Sequence, residues 1–218
     1  MSKSKTKRFS GAHLNVSWDA RLCIHVAECG NADDELFVAG RDPWCMPDKV
    51  ADERVVEVCE RCPSGALSVH DQSGASPERP PAANRVQVVN DGPLYVHGDL
   101  EPDGFAQDMP GTRYRVALCR CGQSNNKPFC DNSHRKAGFE DAGAIGESGP
   151  GSQGSGGKLR ISPAEDGPLI LSGKVELLAG SGRVAWRGDK VALCRCGESF
   201  NKPFCDGSHK RAGFRSGD

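Results

Sequence analysis

The chain has little of the material from which one large core is built. Hydrophobic residues fill 37% of its 218 positions, against 27 Gly and 14 Pro. Small domains with thin cores ordinarily rely on disulfides or metals as staples. No run approaches the ~18 apolar residues of a membrane span. The opening MSKSKTKRF is basic, but no apolar stretch of signal-peptide length follows it. A soluble cytoplasmic protein is therefore expected. An excess of one charge sign is also missing: the net charge is −1 and the pI about 6.6. Neither nucleic acid nor an anionic membrane is favoured as a partner. No G-x-G-x-x-G follows a predicted strand, which argues against a flavin or nicotinamide site. No nucleophile–base constellation stands out either, so a substrate-converting enzyme is not expected.

Cysteine, by contrast, is abundant, with 11 residues. In a reducing compartment clustered cysteines are metal ligands more often than disulfides, and an odd count fits a full disulfide set poorly. Six of the eleven fall in an internal repeat of offset 75. DGPLYVHGDLE (91–101) matches DGPLILSGKVE (166–176), and ALCRCGQSNNKPFCDNSHRKAGF (117–139) matches ALCRCGESFNKPFCDGSHKRAGF (192–214), with 18 of the last 23 positions identical. Such similarity indicates duplication of one structural unit, and two copies are too few for a solenoid. A pseudo-symmetric pair packed face to face is expected.

Each copy carries C-x-C-x8-C-x3-H. Cys194 and Cys196, two apart in an extended loop, can direct both sulfurs to one metal. Turn residues Gly197, Asn201, Lys202 and Pro203 bring the chain back to Cys205. With Asp206 as N-cap, a helical turn ended by Gly213 places His209 near Cys205. The first copy supplies Cys119, Cys121, Cys130 and His134. The spacing alone fits a zinc site as well as an iron–sulfur site. Strands are expected at 94–96, 113–118, 169–171 and 190–193. DQSGASPERPPAAN (71–84) reads as a linker, and EDAGAIGESGPGSQGSGGK (140–158) as a flexible connection.

The motif C-x-C-x2-S-x3-P-x-C-D-G-S-H resembles the signature of the CDGSH iron–sulfur domain family, which includes the mitoNEET-like proteins. Ser199, Pro203, Cys205, Asp206, Gly207, Ser208 and His209 fall on it. So do Ser124, Pro128, Cys130, Asp131, Ser133 and His134, with Asn132 where the family has Gly. Asn tolerates left-handed backbone well, so the departure is mild. The resemblance implies one [2Fe–2S] cluster per copy, with Cys119 and Cys121 (or Cys194 and Cys196) on the inner iron and Cys130 and His134 (or Cys205 and His209) on the outer. It also implies a monomer that supplies its own pseudo-dimer. A neutral imidazole in place of a thiolate lowers the cluster's negative charge and raises its potential. Ser124 and Ser199, inside the loops, are expected to hydrogen-bond near sulfur.

The first 72 residues differ. Leu14, Val16 and Trp18 alternate as in a strand, Asp19 caps a turn, and Pro47-Asp48 opens a helix, DKVADERVVEVCERC, with Val50, Val55 and Val58 along one side. Cys23-x5-Cys29 with a later Cys62-Pro63 resembles a divergent monocluster ferredoxin-like domain in which Val26 replaces one ligand. Pro43-Trp44, Pro47-Asp48 and CPSGAL (62–67) carry that resemblance. Three cysteines suit a [3Fe–4S] cluster. A [4Fe–4S] cluster needs a fourth ligand, for which His25 and Cys59 are candidates, or a solvent ligand. Cys45 reads as a packing cysteine.

The expected fold is α+β: a ferredoxin-like unit (1–72) followed by two small β-rich units (85–139 and 158–218) forming a pseudo-two-fold pair. The expected function is electron or cluster transfer with a redox or apo-acceptor protein as partner. The alternatives are a zinc-stapled interaction module or the electron-delivery subunit of an oxidoreductase.

Overall fold

The computed structural model describes residues 6–32, 35–105, 113–151, 154 and 156–217. The chain divides into two compact units, 1–79 and 80–218.

In the first unit, β1 (Thr6–Ser10), β2 (Leu14–Asp19) and β3 (Leu67–Asp71) form an antiparallel sheet in that order. The expected β2 strand buries Leu14 and Val16 against Val55, Val58 and Cys59 of helix α1 (Asp52–Glu60). Asp19 caps as expected, accepting the Arg21 N–H at 2.9 Å. The helix expected from Pro47 onward is broken. Pro47–Lys49 make a 3₁₀ turn, Val50 is extended (φ −138°, ψ 167°), and α1 begins only at Asp52. The Asp48 carboxylate accepts the Ala12 N–H at 2.7 Å, tying this turn to the β1–β2 hairpin rather than to the helix axis. Gly11 is required there, because a Cβ would lie 2.6 Å from that carboxylate.

The second unit is mostly β. Its strands are β4 (Arg85–Val88), β5 (Leu94–His97), β6 (Asp99–Pro102), β7 (Arg115–Leu118), β8 (Lys158–Pro163), β9 (Leu169–Leu178) and β10 (Val184–Leu193). Two single turns, α2 (Ser133–Lys136) and α3 (Ser208–Arg211), complete it. All seven strands join one sheet, ordered β6-β8-β9-β4-β5-β7 with β10 on β9. Face-to-face packing of the two copies is thus corrected, because their strands interleave edge to edge. β4 of the first copy runs parallel to β9 of the second, with Arg85 opposite Glu176 and Val86 opposite Leu177. Shifted by the repeat offset, the same pairing recurs between β6 and β8, as Glu101 opposite Arg160 and Pro102 opposite Ile161. Neither repeat closes its sheet alone. The core of Val86, Val88, Leu94, Leu118, Leu159, Ile161, Leu171, Leu177 and Leu193, all fully buried, draws on both copies.

The segment expected to be a flexible connection is bound along its described length. The Asp91 N–H donates to the Asp141 carbonyl at 2.9 Å and the Asp141 N–H to the Asp91 carboxylate at 2.6 Å, Gly180 N–H donates to the Gly143 carbonyl at 2.8 Å, and Ile145 is buried. Its glycines serve geometry: Gly149 (φ 77°) lies where a Cβ would be 2.4 Å from the Arg187 carbonyl. Residues 152, 153 and 155 of that segment lie outside the described residues.

One buried side chain stitches the copies together. Asn84, fully buried, donates to the carbonyls of Gly157 (2.9 Å) and Lys174 (2.8 Å) and accepts the Asp99 N–H (3.1 Å). Asn84→Leu leaves three part-buried backbone groups without this partner. It is expected to destabilise the second unit by about 3 kcal/mol, seen as a lower urea midpoint at unchanged slope. An unchanged midpoint would show that water replaces the amide.

Candidate metal centres

In each copy a strand delivers the first cysteine and a single helical turn delivers the histidine. Cys119 follows β7 and Cys194 follows β10, each in an extended C-R-C stretch. The loop then returns: the Cys119 N–H bonds to the Pro128 carbonyl (2.9 Å) and the Cys130 N–H to Ala117 (2.9 Å), with the same pair of bonds at Cys194–Pro203 and Cys205–Ala192. The residue before each helical turn is left-handed, Asn132 at φ 71° and Gly207 at φ 85°. Asn therefore does what the more common Gly does. This corrects the cap assignment, since Gly207, not Asp206, occupies the N-cap. Asp206 instead accepts the N–H groups of Ser208 and Phe200, both at 2.9 Å, and the Ser208 side chain together with these N–H groups holds its carboxyl well below the usual carboxylate range. Asp131 does the same for Ser133 and Asn125.

The loops assemble all eight expected donors as pairs. Cys119 and Cys121 sulfurs are 3.6 Å apart, Cys194 and Cys196 3.7 Å. Cys130 Sγ is 3.5 Å from His134 Nδ1, and Cys205 Sγ 3.4 Å from His209 Nδ1. Two sulfurs bound at about 2.3 Å to one tetrahedral metal lie about 3.8 Å apart, so each pair has the bite of one metal. Among the described residues, no three His, Cys, Asp or Glu side chains gather as one ion would need. Each copy thus presents a Cys–Cys pair and a Cys–His pair, donors whose chemistry suits an iron–sulfur centre. The hydrogen bond shared by the Cys119 and Cys121 sulfurs pulls the Cys119 pKa down to about 6 despite burial and raises Cys121. Cys194 and Cys196 behave alike, with Cys194 lowered to about 6. Burial pushes Cys130 up to about 12 and lowers His134. Backbone N–H groups of Gln123, Asn132 and Glu198 point at Cys121, Cys130 and Cys196 sulfurs, each at 3.4 Å. Such donors favour anionic sulfur.

Ser124 and Ser199 hydrogen-bond near sulfur through their backbone, the Ser124 N–H to Cys119 and the Ser199 N–H to Cys194. Their hydroxyls donate to the Phe129 and Phe204 carbonyls at 2.7 Å and accept the N–H groups of Asn126 and Asn201, so they also brace the loop. Sequence reasoning passed over Arg120 and Arg195, the middle residues of C-R-C. Both are only 2% exposed. Arg120 donates to the carbonyls of Gly92 and Val89, pairs with Asp141 at 2.6 Å and stacks on Phe139. Arg195 holds the Gly167 and Ala164 carbonyls and stacks on Phe214. The repeated Arg between two cysteines, with a repeated AGF downstream, was the signal.

The two loops touch. Cys121 and Cys196 form an antiparallel bridge. Gly122 and Gly197, at φ 79° and 86°, lie where a Cβ would stand 2.4 and 2.7 Å from the opposite loop's carbonyl.

In the first unit, Cys23, Cys29 and Cys62 line one cavity of about 690 Å³ together with His25, Trp18 and Trp44. Burial raises the Cys29 pKa, and the neighbouring Cys62 and Cys23 thiolates add to that. His25 Nδ1 is 3.8 Å from Cys23 Sγ, on a loop in which His25 (φ 52°) and Ala27 (φ 65°) both adopt left-handed backbone. Cys59 packs inside the core beside Val58, and Cys45 is buried there too, its thiol pushed up to about 12.

Known families match these three sites. Residues 91–135 and 166–210 match the family described as "Iron-binding zinc finger CDGSH type", and residues 9–72 match "Divergent 4Fe-4S mono-cluster". The chain belongs to the CDGSH iron–sulfur family, as a tandem member with an N-terminal divergent mono-cluster domain. The N-terminal region is similar to "Uncharacterized protein YjdI" of Escherichia coli K12. The two are 39% identical over 59 residues, which cover 27% of this chain and 78% of that protein, and the O157:H7 counterpart gives the same values. No solved structure matches.

The glycine contact makes a prediction for this CDGSH pair. Gly122→Ala and Gly197→Ala should each cost at least about 2 kcal/mol, from left-handed strain added to the clash. Each should also lower the iron retained on purification. Wild-type unfolding midpoints and iron content in both variants would contradict the contact between the loops.

Proposed function

We propose that the chain carries two [2Fe–2S] clusters, one per CDGSH copy, and a third cluster in its N-terminal unit, and that it serves electron transfer or cluster transfer rather than substrate conversion. The observation that carries this reading is the grouping of donors into a Cys–Cys pair and a Cys–His pair in each copy. Cys119 and Cys121 would hold the inner iron and Cys130 and His134 the outer. In the second copy Cys194 and Cys196 take the inner role, Cys205 and His209 the outer. A bound [2Fe–2S] cluster supplies reversible one-electron storage. The chain's own residues supply the rest: N–H groups that favour anionic sulfur, a neutral imidazole that lowers the net negative charge, and buried arginines that fix the C-R-C stretch.

The pairing recurring at the repeat offset supports a pseudo-two-fold pair within one monomer. For the third cluster, Cys23, Cys29 and Cys62 are the ligands in a ferredoxin-like unit. Its type is [3Fe–4S], or [4Fe–4S] if a fourth group joins. Between the two candidate side chains for that place, His25 beside Cys23 is better positioned than Cys59 in the core. The partner would be a redox protein or an apo-acceptor, and the setting cytoplasmic.

Anaerobic purification with iron and sulfide counting plus EPR tests the reading. Iron and acid-labile sulfide in equal amounts at the CDGSH sites are expected. Stoichiometric zinc without sulfide from iron-replete cells would overturn it in favour of a zinc-stapled module.

A second prediction concerns the histidines. Protonation of a ligand competes with metal binding, so cluster loss should accelerate as pH falls toward the histidine range, ~6.5 unperturbed. Burial lowers His134, which extends its neutral, ligating form to more acid pH. His134→Cys and His209→Cys should each lower the potential of their own cluster and slow its acid release, measured by potentiometry and stopped-flow absorbance. Unchanged potentials and release rates in both variants would remove the histidines from the ligand set.

A further inference from the structure

Although the two CDGSH loops share most of their sequence, their outer donor pairs are not equally covered. Cys130 and His134 are 4% and 6% exposed. Cys205 and His209 are both half-buried. In the first copy, Phe105 lies edge-on against Phe129 at 5.2 Å, in the loop that ends at Cys130. In the second, an open groove of about 810 Å³ runs past Trp186, Phe204 and Asn201 and reaches Cys205 itself. A further difference sits on the loop. Where the first copy has Asn125, the second has Phe200, which is 89% exposed and the exposed large hydrophobic side chain among the described residues. Asn125 and Phe200 hold the same backbone bond, to Asp131 and Asp206 respectively, so the substitution changes only what the loop shows to solvent.

We infer that the two centres divide their work: the centre on Cys194, Cys196, Cys205 and His209 exchanges its metal with outside acceptors, while the centre on Cys119, Cys121, Cys130 and His134 is retained. The inference rests on the proposed [2Fe–2S] assignment and adds which site is labile. Exchange at a metal needs an incoming ligand to reach it before the old bond is fully lost. The half-buried pair at the groove admits one; the covered pair does not. With a centre bound there, His209 would be the first ligand given up to an incoming carboxylate or thiolate, and Cys205, Cys194 and Cys196 would then leave as free thiols as acceptor ligands and protons replace the metal, with no electron changing hands. An acceptor protein would meet Phe200 as it approaches the second loop.

The test uses the full-length holoprotein and EDTA as acceptor. Visible absorbance should fall in two phases of equal amplitude, the first at least about tenfold faster, given that 1.4 kcal/mol of added barrier is a factor of ten. The reaction is stopped after the first phase, freed thiols are alkylated with iodoacetamide, and peptides are assigned by mass. Label on Cys194, Cys196 and Cys205, with Cys119, Cys121 and Cys130 protected, is the expected result. Simultaneous labelling of both sets, or the first copy labelled first, overturns the division. Failure of the underlying assignment reads differently, as starting protein without two irons and two sulfides per copy. A variant that leaves every ligand in place adds a second measurement. Trp186→Ala widens the groove beside Cys205 and should quicken only the first phase. An effect on the slow phase alone would contradict the inference.

Discussion

The antiparallel bridge between Cys121 and Cys196 is the constraint on which the second unit turns. It joins the middle cysteines of the two loops, and the flanking glycines pass so close to the opposite carbonyls that no side chain would fit. A contact this tight fixes the register of one copy against the other. The sheet then carries that register outward: β4 on β9 and β6 on β8 repeat one pairing at the offset of the duplication. Because each repeat contributes an edge that the other completes, no sheet edge between them is left for a second chain to pair with. Duplication within one polypeptide also removes the concentration dependence that a pair of separate subunits would have.

Burying thiols and a histidine together is costly unless charge is managed. The loops manage it with backbone. N–H groups of short, left-handed turns converge on sulfur, and the aspartates that follow Cys130 and Cys205 hold those turns shut. Arg120 and Arg195 do a different task. A guanidinium that spends its donors on turn carbonyls and its face on a phenylalanine is a rigid brace with a fixed charge. In the first copy Asp141 neutralises that charge. In the second, Ser216 stands at the equivalent position, and Asp166 instead binds Ser216 and Arg215. Desolvation lowers the Arg195 pKa, whereas Cys119 and Asp166 act to raise it. The two copies are therefore close in ligands and unlike in the charges and cover around them.

What could be read from the sequence was local. The offset of 75, the eight donors, Asn132 in a left-handed position, Cys45 as a packing residue and the β2 alternation all depend on short spacings or on one residue's conformational preference. What could not be read depends on partners far along the chain. The parallel pairing of β4 with β9 joins residues 91 apart, and the one side-chain trace it leaves, Arg85 donating to Glu176 at 3.2 Å, is a single opposite-charge pair among many that the sequence would allow. The break at Val50 follows from Asp48 meeting Ala12 across 36 residues. The Gly-Ser run after residue 140 has the composition of a loose linker, yet its glycines are there because the path over Trp186 and Val88 needs left-handed backbone and close approach. Composition reports conformational freedom, and the fold decides whether that freedom is kept or spent.

The N-terminal unit shows how the same physics gives a different site. Its three cysteines converge from two segments, a loop after β2 and the turn after α1, across a cavity walled by Trp18 and Trp44. Val26 stands in that loop between Cys23 and Cys29 with no donor atom to offer, and His25 beside it points a ring nitrogen toward Cys23. A strained non-glycine backbone persists where surrounding contacts over-determine it, and such positions gather at functional sites. Here two fall within three residues, His25 and Ala27, in the stretch between two candidate ligands. Left-handed backbone at these two positions shapes the loop whose Cys23 and Cys29 line the same cavity as Cys62, and Cys62 follows directly on α1, whose Cys59 packs in the core.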